Sequence, residues 1–343
     1  MTNVINQEKL SYNSFAIEIL ACPKCGADLK KLDSSQNLCC VKCDEIIEYQ
    51  DGIYWFDHEH PSFDANTTVK DFGQRWNTVY KSMGNLKNFL LESIQPVQKD
   101  FFKDKVILDG GGGFGRVTKL MLDFGAKHVI LLDASDAVYA AVDYLEEYKD
   151  RVTIINANLI SPPVKSDVLD VFMCHGVLHH TGAPEKVISH IKRTVKKDIG
   201  AAILWVYSKE GNGILSKAIA FSNSIASLIG NWGRWRLATL LDAGFWGLTH
   251  LAYKPLDFLF GIKSKLYYGE YFIDFLYDPK NSNRIDRLQM YHDFLTTQII
   301  EYYSHEQLHK WFLEAGFKKL SLLFYRKQSW SIAVSCDPDE DFS

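Results

Sequence analysis

The chain has 343 residues, 47% of them hydrophobic and 23% charged, with a formal net charge of −4. That length holds one large domain or two smaller ones with a sizeable core, and the slight acidity gives no global attraction to nucleic acid. Met1–Glu8 lacks the basic-then-apolar order of a secretory signal, and no uninterrupted apolar run reaches the roughly eighteen residues of a membrane span. The seven cysteines therefore read as metal ligands or free thiols in a cytoplasmic protein, not as disulfides.

Residues 1–17 form a short lead-in, and residues 18–57 a compact Cys-rich unit. Within it Cys22-Pro23-Lys24-Cys25 and Cys40-Val41-Lys42-Cys43 are two C-x-x-C knuckles. Each turn puts two thiolates on one side of a tight loop, and two such loops complete a tetrahedral Zn²⁺ site. Cys39 competes with Cys40 as ligand, but only Cys40 keeps the knuckle spacing. Four protein thiolates leave no open position, so such a zinc is structural. Residues 18–57 carry eight acidic and four basic residues, the wrong sign for gripping phosphates. Docking or scaffolding is the expected role of the unit.

Residues 58–100 read as a helical connector, with helical patches at 72–80 and 86–94. From 101 to 208 strand and helix patterns alternate, which implies a parallel sheet. The strands are expected at 105–109, 127–133, 152–156, 169–174 and 200–207, and the helices at 115–124, 136–148 and 184–197. Residues 209–303 break the alternation and are rich in aromatics, a mostly helical insertion whose place suits a substrate cap. Leu215, Ile219, Ser222, Ile225, Leu228 and Ile229 fit an amphipathic helix that packs on another helix or lies on a membrane. Ser304-His305-Glu306-Gln307 opens a helix with a capping box, strands follow at 317–324 and 329–335, and the acidic tail 337–343 is expected to be disordered.

The run Asp109-Gly110-Gly111-Gly112-Gly113-Phe114-Gly115 links the first strand of the alternating region to its helix. Glycines there let the backbone approach a ligand, and the helix beyond offers unpaired N–H groups. Gly110, Gly112 and Gly115 fit the dinucleotide fingerprint G-x-G-x-x-G. Gly111, Gly113 and Gly115 fit the D-x-G-x-G-x-G turn of S-adenosylmethionine (SAM) enzymes. Asp133, at the end of the next strand, can accept both ribose hydroxyls in either case, or serve as a plain helix-initiating residue.

The stretch Asp170-Val171-Phe172-Met173-Cys174-His175-Gly176-Val177-Leu178-His179-His180-Thr181 resembles motif IV of class I SAM-dependent methyltransferases, type 11/12-like. Ser304–Leu308 with Phe312-Leu313-Glu314-Ala315-Gly316-Phe317 resembles the last helix of that family and the entry to its sixth strand. The resemblance covers 101–208 and 304–335. It implies an α/β, Rossmann-like seven-stranded class I methyltransferase sheet, with residues 18–57 as an N-terminal zinc ribbon and 209–303 as the inserted cap. The ribbon itself resembles the small zinc-binding methyltransferase activator, through Cys22-Pro23-x-Cys25-Gly26, Cys40-x-x-Cys43 and Asp51-Gly52-Ile53.

Carried over residue by residue, the resemblance implies that Asp109 orients the methionine end of SAM. Gly111, Gly113 and Gly115 line it, Asp133 holds the ribose, and Ala134 packs by the adenine. Asn158, with Asn156 as competitor, bonds the adenine amino group. Phe72-Gly73-Gln74-Arg75-Trp76 resembles an element ahead of the catalytic core of some zinc-ribbon methyltransferases, in which Arg75 would close over the SAM carboxylate; an amphipathic packing helix is the alternative. His175, His179 and His180 are the candidates for a general base, should the acceptor have to lose a proton; capping or packing is their other reading. Asp293, Tyr302 and Tyr303 are candidate polar contacts of the cap, and His305 with His309 is a surface pair.

The expected function is SAM-dependent methyl transfer to a small-molecule biosynthetic intermediate. Two alternatives stand beside it. One is an RNA methyltransferase using the basic cluster Lys186, Lys192, Arg193, Lys196 and Lys197. The other is a non-catalytic SAM-binding docking protein.

Overall fold

Val106–Gly110 and His128–Asp133 are apolar on both faces, the mark of strands covered from two sides. In the computed structural model of the chain both sit at the centre of one sheet. The structure describes residues 14–32, 35–56, 69, 73, 87–213, 229–263, 265, 273, 276–279, 282–297 and 299–342.

The strands are β1 Leu29–Lys31, β2 Leu38–Cys40, β3 Ile46–Gln50, β4 Ile53–Trp55, β5 Val106–Gly110, β6 His128–Asp133, β7 Val152–Asn156, β8 Val171–His175, β9 Ala201–Tyr207, β10 Lys319–Tyr325 and β11 Ser329–Ser335. Their spatial order is β1-β2-β3-β4-β7-β6-β5-β8-β9-β11-β10. The sheet thus has eleven strands where seven were expected. The seven strands from β7 to β10 in that order come from residues 106–335, and the strands of the Cys-rich unit extend the sheet at one edge. The junction is parallel: Ile53 stands opposite Ile154, and Trp55 opposite Asn156. An open edge of β7 would leave a row of unpaired N–H and C=O groups; β4 covers it.

The helices are α1 Ser14–Ile19, α2 Lys87–Ser93, α3 Arg116–Asp123, α4 Ala137–Tyr144, α5 Pro184–Thr194, α6 Asn231–Leu248, α7 Lys254–Phe260, α8 Arg284–Thr296 and α9 His305–Glu314. Alternate residues of the central strands feed two cores. Leu108, Ile130, Phe172 and Leu204 face one side with Ile188 of α5 and Phe312 of α9. Ile107, Val129, Leu131, Val171 and Ile203 face the other with Leu90 of α2, Met121 of α3 and Val138 of α4. In the insertion, α6 packs on α8 around Ala238, Tyr277, Tyr291 and Leu295.

Three local expectations shift. The helix expected over 136–148 ends at Tyr144, and Glu146–Tyr148 forms a separate 3₁₀ turn. The helix expected to reach 197 ends at Thr194, because Lys196 turns back: its N–H donates to Leu169 C=O at 2.8 Å and its ammonium reaches Asp170 at 2.6 Å. The tail is ordered through residue 342, since Phe342 is buried against Phe101 with ring centroids 6.1 Å apart. The net acidic segment is held by this aromatic contact and by Lys319, whose ammonium donates to Glu340 C=O. The amphipathic helix expected from Leu215 to Ile229 lies, apart from Ile229, outside the described residues, as does most of the 58–100 connector.

Candidate active site

The crook between β5 and α3 is shaped by its glycines. Gly111, Gly113 and Gly115 have φ of 78°, 54° and 94°, so the left-handed positions fall on the D-x-G-x-G-x-G register. At Gly111 a Cβ would stand 2.4 Å from a methyl of Val177, in the loop after β8. Strain and collision therefore both keep that position glycine.

Two aspartates flank the turn. Asp109 is buried and accepts a hydrogen bond from Thr118 Oγ1 at 2.6 Å. Burial first, with Asp133 adding to it against the Thr118 bond, pushes its carboxyl up to about 7. Asp133 ends β6 and is half-buried. Its carboxylate accepts Gly113 N–H at 2.8 Å, Ser135 N–H at 2.8 Å and Ser135 Oγ at 2.6 Å, which fixes its orientation toward the turn. Ala134 follows it, half-buried.

The two asparagines separate. Asn156 ends β7 and donates its side-chain amide to the C=O groups of Asp133 and Ser135 at 3.2 and 3.3 Å, an internal strut. Asn158 lies in the loop beyond and accepts Ile160 N–H at 2.9 Å. Arg75 lies outside the described residues. Gly73 of the same segment is described, and a Cβ there would meet Asp136 N at 2.9 Å, so Gly73 lies beside the loop after β6.

At the exit of β8 the three histidines come together in different environments. His175 Nε2 lies 2.7 Å from Ser93 Oγ of α2, and its ring stacks on Trp205 at 5.2 Å. Burial, then the positive charge of Arg116, pulls His175 down to about 3. His179 is fully buried 4.2 Å from the ring of Tyr207, with neither ring nitrogen hydrogen-bonded. Burial and its two histidine neighbours hold it neutral, well below the usual histidine range. His180 Nδ1 lies 2.6 Å from Ile299 C=O, so Nδ1 carries the hydrogen and donates.

These groups form one wall with residues the sequence reading did not single out. Trp205 and Tyr207 of β9 point to the histidine side at the two-residue period of a strand. Tyr302 stacks on Tyr207 at 5.7 Å, and its buried hydroxyl has no partner, nor does Trp205 Nε1. Of the other candidates, Tyr303 is structural: its hydroxyl donates to Glu301 at 2.8 Å, and its C=O accepts from Trp330. Asp293 accepts from Gln289 at 2.8 Å. His305 and His309 stack 6.0 Å apart on the surface.

The insertion closes on the crook from above α3. Arg116, the first residue of α3, lies 3.9 Å from Asp286. Asp286 also completes the capping box of α8 with Asn283, so one carboxylate both starts α8 and ties it to the turn.

The thiols of Cys22, Cys25, Cys40 and Cys43 lie within 4.8 Å of one another, the one such His, Cys, Asp and Glu group among the described residues. Cys22–Cys43, Cys25–Cys40 and Cys25–Cys43 Sγ distances are 3.5, 3.4 and 3.5 Å. A tetrahedral Zn²⁺ with bonds near 2.3 Å spaces its sulfurs by about 3.8 Å, so the set fits that ion. Cys40 Sγ also accepts the N–H groups of Lys42 and Cys43, as a thiolate ligand does. Cys39 is buried outside the cluster with its thiol toward Cys40 C=O, which settles the choice between neighbours.

Comparison with known proteins shows what this turn and sheet are similar to. Residues 108–203 match the family described as a methyltransferase domain. The matched span of the methyltransferase domain runs from β5 to β9 and contains the glycine turn, Asp133, both asparagines and all three histidines. Its fold is the Rossmann-like α/β sheet, the fold of methyltransferases that take SAM as methyl donor. An uncharacterized protein of Methanocaldococcus jannaschii is 31% identical over 150 residues, 41% of this chain and 62% of that protein. Protein arginine N-methyltransferase 1 of Saccharomyces cerevisiae is 38% identical over 103 residues, 27% of this chain and 30% of the enzyme. The chain thus spans less than two thirds of either relative. Among solved structures, the Burkholderia thailandensis 1,6-didemethyltoxoflavin-N1-methyltransferase aligns with 90% of this chain and 99% of its own at 12% identity and a TM-score of 0.45.

Proposed function

We propose that the chain transfers a methyl group from SAM to a small-molecule acceptor held against the aromatic wall at the exits of β8 and β9. The observation that carries this reading is the juxtaposition of the left-handed glycine turn, oriented by Asp133 through Gly113 N–H, with the His175–Trp205 stack one strand away. When bound, SAM supplies an electrophilic methyl for an in-line displacement, so alignment and exclusion of water are the protein's main tasks.

Asp133 would hold the ribose hydroxyls. Asp109, about half protonated at neutral pH, would ionise fully to pair with an ammonium at the methionine end. Ala134 and Asn158 would border the adenine, and Arg75 would close over the carboxylate. Burial makes His175 a weak base and Ser93 occupies its Nε2, so it positions the acceptor and does not draw a proton from it. Trp205, Tyr207 and Tyr302 offer flat surfaces and two unpartnered buried donors, which suits a planar polar acceptor. A structural Zn²⁺ on Cys22, Cys25, Cys40 and Cys43 would staple the N-terminal strands.

The basic cluster on and after α5 gives the RNA reading little support, because two of its five charges are spent within the fold. Arg193 donates to Val164 C=O at 2.7 Å and Lys196 pairs with Asp170 at 2.6 Å. The deciding experiment is turnover with isotopically labelled SAM on a metabolite extract and on bulk RNA. A labelled metabolite upholds the reading. Label in RNA alone overturns it, as does SAM binding without any transfer.

A further inference from the structure

Large exposed apolar side chains gather on the insertion. Trp232, Leu240 and Leu251 are 72%, 69% and 79% exposed along the outer side of α6 and the turn that continues it. Phe258, Leu259 and Phe260 at the end of α7 are 89%, 65% and 68% exposed. Single exposed apolar residues need no explanation, but a contiguous set does. The sequence under it is unusual for a solvent-facing helix. From Leu237 to Tyr253 the one Asp, Glu, Lys or Arg is Asp242, which is buried in an ion pair with Arg287 at 2.8 Å. The helix is therefore apolar on both its inner and outer sides, a pattern of burial rather than of a surface.

We propose that this face seats on an anionic lipid bilayer, with the end of α7 embedded among the headgroups and upper acyl chains. Two observations select a bilayer over a second protein copy. First, no residue of α7 is buried, and Leu256, Phe258, Leu259 and Phe260 at 100° per residue span about 200° of its circumference, with Lys254 and Asp257 together on the remaining arc. A broad apolar arc beside a narrow polar one is the division of a helix that lies in a membrane interface. Second, the charges match. Arg236, Lys254 and Lys263 flank the apolar surface, and Arg236 lies over the Trp232 ring at 4.4 Å, an aromatic–cation pair suited to the headgroup level. Of the acidic side chains of the segment, Asp242 is buried against Arg287, and Asp257 is engaged locally, accepting Lys263 N–H at 2.7 Å. This local excess of positive charge runs against the net charge of −4 of the chain. No helix among the described residues is long and apolar enough to cross a membrane, so the mode is interfacial.

The test is co-sedimentation of the full chain with vesicles of phosphatidylcholine alone and of phosphatidylcholine with one third phosphatidylserine, at low and high salt. The expected result is about tenfold stronger partitioning onto the anionic vesicles, reduced by salt. The triple variant Phe258→Ser, Leu259→Ser, Phe260→Ser should lose binding to both vesicles while melting like the parent, since none of these side chains is buried. Arg236→Gln with Lys263→Gln should lose only the preference for phosphatidylserine. The proposal fails if the parent ignores both vesicles or if the triple variant binds as the parent does. It also fails if sedimentation velocity shows a dimer that the triple variant abolishes, which would make this face a self-association surface.

Discussion

Phe56 and Asn156 join the Cys-rich unit to the end of β6 beside the glycine turn. The amide of Phe56 donates to Asn156 C=O at 3.0 Å, and the side chain of Asn156 in turn donates to the C=O of Asp133. The thiol cluster and the carboxylate-bearing end of β6 are thus linked through two strands. Removing the metal with a chelator, or replacing Cys25 with Ser, is expected to lower the melting temperature by about 5–10 °C, as loss of a few kcal/mol does in a chain of this size. SAM affinity should also weaken roughly fivefold, the equivalent of one neutral hydrogen bond of about 1 kcal/mol. Calorimetry on metal-loaded and chelated protein checks both, and unchanged SAM affinity after chelation would show that the link is mechanical only.

Asp133 is the ribose anchor of the proposed function. Asp133→Ala removes both acceptor oxygens, and two charge-assisted bonds at about 1.5 kcal/mol each correspond to roughly 100-fold weaker SAM binding. Asp133→Asn keeps one acceptor and should lose less. A change under about threefold for the alanine variant would move the ribose elsewhere.

The sheet core and the thiol cluster were legible in the sequence for different reasons. Apolar runs such as Val129–Leu132 and Ile203–Val206 have one way to be buried, and C-x-x-C spacing is set by ligand geometry. The insertion of β4 beside β7 was not legible, because Ile53 and Ile154 are a hundred residues apart and a short apolar strand carries no mark of its partner. Likewise His175, His179 and His180 stood out as residue types, while the groups that set their chemistry did not. Ser93 reaches His175 from a separate helix, and Trp205 and Tyr207 read as ordinary strand aromatics until the register of β8 on β9 sets Trp205 opposite His175. The choice between Gly110 and Gly111 as the first residue of the motif needed backbone angles.

Gly111 tests that register. Gly111→Ala places a methyl against Val177 and forces an L-residue to φ of 78°, so SAM binding should fall at least about 100-fold with a loss of stability of roughly 2–4 kcal/mol. Adding Val177→Ala removes the collision and leaves the backbone strain. The double variant should therefore recover part of the stability in denaturant titrations. A double variant no better than the single would mean that strain alone accounts for the loss.

His175 is held down near 3 and His179 lower than the usual range by burial and neighbouring positive charge. Neither changes charge between pH 6 and 8 in the folded protein, so kcat should show no limb from these two residues there. His175→Asn should lower kcat through misplacement of the acceptor without altering the shape of the pH profile. A limb near pH 6.5 that His175→Asn abolishes would instead make His175 a general base.

Asp109 gives the opposite sign. Its folded value of about 7 lies above its ordinary 3.8, so folding favours the protonated carboxyl. The stability this group contributes is fully present below pH 3.8 and is lost as pH rises through 7, by an amount on the order of 4 kcal/mol. Asp109→Asn mimics the neutral form at every pH. The variant should match the parent near pH 4 and become progressively more stable than it up to pH 8, where the difference levels off. His128 and His175, lowered by burial to about 4 and 3, act alike in parent and variant and cancel from the comparison. SAM binding should reverse the ranking: an ammonium beside Asp109 favours the carboxylate, so the parent should release a proton on binding near pH 6.5 and gain affinity toward pH 8. The variant should do neither. Calorimetry in two buffers of different ionisation enthalpy reads the proton directly, and its absence from the parent would place the ammonium away from Asp109.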